Sequence, residues 1–317
     1  MFIEQAYKGD NTPWKVLITT FLTTGIFLVN IAVFFFIPQE ETEAMYEALK
    51  KIPKLFGMVV NLLPFVALLG LLLFLVKFLH ERSIRSLTTS RPRIDLGRIA
   101  FAFTCVTVIT LLSFTIAYQM DSSHIIWNFQ PAKFAVLFLL AIILFPIQIG
   151  FEEYLFRGFL MQQIGIATRS RFAPLLITSI SFGIFHGANP EVNELGYGVM
   201  VFYIGTGLLL GIMTLMDDGI ELALGYHLAN NLLAVLLISS DFSAIQSDAV
   251  FRLTEKAPSD STLTEMIATM AITYPLLLFI FARKYKWTDW KEKLTGKVKS
   301  REMLNQNPQN YEYETHL

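Results

Sequence analysis

The feature that most limits what this chain can fold into is the length of its uncharged apolar runs. Residues 135–151, AVLFLLAIILFPIQIGF, hold no ionisable group. About 20 apolar residues in a helix cross the hydrocarbon core of a bilayer. Eight segments of this kind are readable, near 16–37, 56–79, 99–118, 134–157, 172–187, 197–216, 219–239 and 263–282. They predict an all-α fold, a polytopic integral membrane bundle of about eight transmembrane helices. The fifth segment is short and the seventh is polar, and both carry a histidine.

Composition agrees. The chain is 54% hydrophobic and 16% charged, where a soluble domain has about 25% charged residues. A net charge of −1 offers no basic surplus pointing to nucleic acid. The single cysteine, Cys105, excludes a disulfide within the chain, a Cys-built zinc site and a dithiol redox motif. The first run is too long for a cleavable signal peptide, and acidic residues precede it.

With eight spans, both ends of the chain share a side with the second, fourth and sixth loops. That side holds 18 of the 25 Lys and Arg residues. The positive-inside rule then puts both termini in the cytoplasm, in a multi-pass protein of the cell membrane. Residues 1–283 read as a single transmembrane bundle, with its chemistry concentrated at about 130–240. Residues 284–317 read as a basic segment at the inner interface followed by a disordered cytoplasmic tail. An external amphipathic helix is expected at 39–54 and a polar external loop at 239–262. Gly207 and Gly211 have the GxxxG spacing of a helix-packing face.

Three polar sets interrupt the apolar runs. The first is GFEEYLFRGF at 150–159. In a helix Glu153 and Arg157 are four apart and can pair. Glu152 is rotated by about 100° and is left uncommitted. An uncommitted carboxylate in an apolar setting suits general acid–base work. Read alone, the stretch equally describes charges capping the inner end of the fourth span. The second set is Phe182 with His186, four apart in SFGIFHGAN; a single histidine near a span end is also an ordinary interfacial residue. The third is GYHLANN, where His227 and Asn231 share a face near mid-span. Unsatisfied polar groups there cost several kcal/mol each, so both must face the bundle interior. Asn230 points elsewhere and reads as packing or support. His80 lies in a basic loop, His124 in an external loop and His316 in the tail. Asp217, Asp218 and Glu221 read as turn and helix-start residues.

In order, Glu152-Glu153-xxx-Arg157, Phe182-xxx-His186 and His227-xxx-Asn231 resemble the motifs EExxxR, FxxxH and HxxxN/D. Those motifs mark the CPBP family of intramembrane proteases, the CAAX-processing and bacteriocin-processing enzymes. The resemblance covers roughly residues 130–240. It implies a helical bundle with a wet cavity inside the membrane and a membrane protein or peptide as substrate. It implies Glu152 as general base on a water that His186 helps to hold, and His227 and Asn231 as stabilisers of the oxyanion. Glu153 and Arg157 would be structural. No cofactor is favoured. Zinc remains open, because Glu152, His186 and His227 also form a His₂Glu ligand set with one open position. A non-catalytic membrane scaffold or self-immunity protein is the alternative from another class.

One geometric condition follows. If the fourth span ends near Arg157, Glu152 lies at its inner end while His186 lies at the far end of the fifth. A fourth helix continuing to about Gln163, or a short or tilted fifth, brings them to one level. The catalytic reading requires both groups within reach of one water.

Overall fold

The computed structural model describes residues 1–306 apart from 39, 42–43, 45–46, 49–50, 241–242 and 255–259. Eight helices follow the eight expected segments. They are α1 Pro13–Phe36 and α2 Lys54–Leu79, then, beyond the short α3 Ile84–Thr88, α4 Leu96–Met120. Next come α5 Pro131–Thr168, α6 Phe172–Phe185 and, after a short α7 Pro190–Leu195, α8 Met200–Asp217. The set closes with α9 Glu221–Leu236 and α10 Asp260–Tyr285. Five helical stretches are long and apolar enough to cross a membrane. Their outward faces carry residues such as Phe74, Leu139, Ile143 and Phe279 in exposed positions, as expected of surface that meets lipid. The chain is an integral membrane bundle.

α5 differs most from expectation. It does not end near Arg157 but runs through a π-helical stretch, Tyr154–Leu160, to Thr168. Polar residues beyond Arg157 do not stop it, because each finds a partner. Gln162 donates to the carbonyls of Phe2 and Ser86, both at 3.1 Å, and Gln163 donates to Asn11 at 2.7 Å. Pro146, inside α5, lacks the N–H of a regular turn. π-Turns inside helices gather at functional sites, and this one begins directly after the glutamate pair.

Both described ends of the chain pack at one end of the bundle. Phe2 and Ile3 are fully buried there. The Phe2 amide donates to Asp218 at 2.9 Å, and Arg171 pairs with Glu4 at 3.1 Å. The basic segment after α10 folds back beneath α6 and α8. It contains α11 Trp290–Thr295 and buries Val298. The Arg171 amide donates to the carbonyl of Gly296, and Val298 donates to that of Arg169. The expected tail falls mostly on 307–317, outside the described residues, as does much of the expected helix at 39–54.

At the opposite end the 239–262 loop is not wholly irregular. β1 Ile125–Trp127, β2 Ile238–Ser239 and β3 Phe251–Leu253 form a small sheet in the order β1-β3-β2. β1 pairs antiparallel to β3, with Ile126 opposite Arg252, and β2 pairs parallel to it. Phe251 packs its ring against Phe114, Tyr118 and Trp127.

Gly207 and Gly211 lie where α8 crosses α6. A Cβ on Gly207 would come within 2.8 Å of the Ser179 carbonyl oxygen, and one on Gly211 within 2.6 Å of Leu175. The missing side chains let the two backbones meet, and this brings the Gly207 carbonyl up to the site described next.

One expectation is extended and one corrected. His80 lies in the expected basic loop but is buried there. Its Nδ1–H donates to the Asp10 carbonyl at 2.7 Å, and its Nε2 accepts from the Thr19 hydroxyl at 2.9 Å. Asp217 and Glu221 do not cap helices through their side chains. They take up Arg91, from the loop before α4, and Arg98, from its first turn. Arg91 reaches Asp217 at 3.1 Å and Glu221 at 2.8 Å, and Arg98 reaches Asp217 at 3.1 Å.

Candidate active site

The three polar sets meet inside the bundle. Glu152, Glu153 and Arg157 come from α5, Phe182 and His186 from α6 and its end, and His227, Asn230 and Asn231 from α9. Glu153 and Arg157 are fully buried, Glu152 and His227 nearly so. His186, Asn230 and Asn231 are partly buried.

The depth condition is met from both sides. Glu152 stands 16 residues before the end of α5, about 24 Å at 1.5 Å per residue. His186 follows the last residue of the 14-residue α6, about 21 Å from its start. The two helices are joined by the turn at 169–171, so both groups sit at nearly one level above it. Phe182 lies between the two histidines, with ring centroids 4.5 Å from His186 and 5.9 Å from His227. His186 is close enough to Glu152 and His227 to interact electrostatically with both.

Arg157 bonds Glu153 at 2.8 Å and the Gly207 carbonyl at 3.3 Å, and its guanidinium lies 4.4 Å from the centre of the Phe182 ring. It bonds Glu153 rather than Glu152, as the helical spacing requires. A buried pair like this gains little net energy, but removing one partner leaves a stranded charge costing about 3–5 kcal/mol.

His227 joins the two glutamates. Its Nδ1–H donates to Glu153 Oε1 at 2.8 Å, which turns Nε2 toward Glu152 Oε2 at 3.6 Å. His186 is fixed the same way, Nδ1–H donating to the Phe182 carbonyl at 2.7 Å, and its ring stacks on Tyr203 at 4.6 Å. Each carbonyl or carboxylate therefore sets a tautomer and leaves Nε2 as the working nitrogen. Oε2 of Glu152 and Oε2 of Glu153 are buried without a hydrogen-bond partner.

Glu152 is not as uncommitted as its helical position suggests. Gln148, one turn earlier, donates to its Oε1 at 2.6 Å, and the Gln148 oxygen accepts from Asn231 at 3.3 Å. Sequence reasoning missed Gln148. The available signal was an amide in an apolar run, four residues before a glutamate. Asn230 donates to Asn231 at 3.1 Å, so its expected supporting position corresponds to a specific contact.

Among the described residues, no group of three or more His, Cys, Asp or Glu side chains is arranged to hold a metal ion. No step below runs through a metal.

Residues 131–233 match the family model described as type II CAAX prenyl endopeptidase Rce1-like. The match covers all three motifs, and the resemblance read from them agrees with it. The uncharacterized protein YyaK of Bacillus subtilis (strain 168) is 28% identical over 295 residues, covering 90% of this chain and 95% of that protein. No solved structure matches.

Proposed function

We propose that this chain, whose residues 131–233 form a segment of the Rce1-like, type II CAAX prenyl endopeptidase kind, is an intramembrane endopeptidase of the glutamic type. It hydrolyses a peptide bond in a membrane-embedded protein or peptide. The observation that carries the reading is His227 held between the two glutamates, beside a Glu152 oxygen that is buried and unpartnered.

In the proposed reaction a water lies between Glu152 Oε2 and His186. Glu152 takes its proton, and the hydroxide adds to the peptide carbonyl carbon. The oxyanion is met by N–H groups of Asn231 and His227. With Nδ1–H already on Glu153, His227 donates from Nε2 as the imidazolium, whose charge the oxyanion balances once Glu152 is protonated. The proton on Glu152 then passes to the departing nitrogen as the C–N bond breaks, giving a new carboxyl and a new amino terminus. Glu153 and Arg157 orient His227 and hold α5 against α8. The end bearing both termini faces the cytoplasm of the cell membrane in this reading, supported by its excess of Lys and Arg.

The test is expression of wild type and Glu152→Ala side by side, with mass spectrometry of membrane-associated peptides. Peptides present in wild type and missing in the variant, at equal protein level, are expected. Identical peptide patterns would overturn the proposal.

A further inference from the structure

We propose that Gln148 is a positioning residue of the reaction, anchoring one oxygen of Glu152 and fixing the direction in which the Asn231 amide points. This rests on the reading of Glu152 as the base. Gln148 is 7% exposed in a run that is otherwise apolar. A buried amide there is costly unless both its ends are bonded, and both are.

The direction of the bonds follows from the carboxylate. An ionised Glu152 can only accept, so Gln148 must turn its NH₂ toward Oε1, where it stands at 2.6 Å. The Gln148 oxygen is then left facing α9, so Asn231 must donate to it, at 3.3 Å. The Asn231 oxygen in turn accepts from Asn230 at 3.1 Å. Three amides thus donate in series toward Glu152, linking the first and third motifs across two helices. Two consequences follow for the chemistry. Oε1 of Glu152 is occupied, so Oε2, facing His227, is the oxygen left to take a proton from water. Asn231 is held with its NH₂ inward, and its second N–H remains for an oxyanion.

The test uses full-length wild type, Glu152→Ala, Gln148→Met, Asn230→Ala and the double variant Gln148→Met with Asn230→Ala. The appearance of Glu152-dependent peptides is followed per folded molecule. Gln148→Met keeps the length of the side chain and removes both polar groups. It is expected to slow cleavage about 10- to 100-fold, the worth of a hydrogen bond to a charged group. Asn230→Ala is expected to slow cleavage about threefold alone and not at all once Gln148 is Met, since the series is already cut. If Gln148→Met does not accumulate, Gln148→Leu replaces it. That variant also removes the donor to Glu152, and is expected to show the same loss. A merely structural Gln148 would lower the amount of folded protein and leave the rate per molecule unchanged, which overturns the proposal. So does wild-type cleavage by Gln148→Met when Glu152→Ala is inactive, with the function left standing. Equal peptide patterns for wild type and Glu152→Ala overturn both.

Discussion

Two of the buried charge clusters among the described residues are finished differently. At the end bearing the termini, Asp217 and Glu221 face Arg91 and Arg98. All four carboxylate oxygens there accept a hydrogen bond, from Arg91, Arg98, the Trp287 indole and the Asp95 amide. At mid-bundle, Glu152 and Glu153 face Arg157 and His227. There only the two Oε1 atoms are bonded and both Oε2 atoms are left without partners. The cluster near the termini bonds every carboxylate oxygen, although the Nε of Arg91 stays without a partner. Open buried acceptors carry a cost, and at mid-bundle the proposed chemistry accounts for it.

Substitutions can break or sharpen this contrast. The largest effect is expected from Glu152→Gln, which should lower cleavage by about 10²–10⁴-fold, the range for a general base, with little change in thermal unfolding. Glu153→Ala should add a large loss of stability to a loss of cleavage. It strands Arg157 and should cost about 3–5 kcal/mol of stability, read as loss of folded protein in detergent. Glu221→Ala should destabilise by about 1–3 kcal/mol through the lost partner of Arg91 and leave the rate per folded molecule near wild type. A large rate loss in that variant would erase the distinction between the clusters.

A smaller effect is expected at His80. Burial lowers its pKa from the ordinary value of 6.5. A depressed folded value means that the neutral ring is favoured by the fold. Its contribution is complete above the unfolded pKa and is lost as pH falls below it toward the folded one. His80→Gln should therefore flatten the loss of unfolding temperature on the acid side of about pH 6.5. The smallest expected effect is none. Protein washed with a strong chelator should keep its cleavage activity, and activity lost on washing and restored by zinc would favour the His₂Glu alternative.

Much of the site was legible because charge and amide groups in apolar runs are conspicuous and because four-residue spacing fixes a shared helix face. Glu153 with Arg157 and the inward set of His227 with Asn231 were readable on those grounds. Gln148 was not, since an uncharged amide hardly disturbs an apolar profile. The end of α5 was left open between Arg157 and about Gln163, because Gln162 and Gln163 have no partner nearby in sequence. Their partners, Phe2, Ser86 and Asn11, are 76 to 160 positions away. Asp217 and Glu221 were assigned to local turns for the same reason, as their arginines lie 119 to 130 positions away. Local periodicity gives the helices and their faces; contacts between distant segments do not show in it.

The hairpin formed by α5 and α6 has a mechanical consequence. Glu152 and His186 are each measured from the same turn, along arms of nearly equal length. When bilayer thickness changes, helices answer by tilting or sliding. Two arms hung from one pivot travel together, so the spacing of the carboxylate and the imidazole is insulated from the lipid around it.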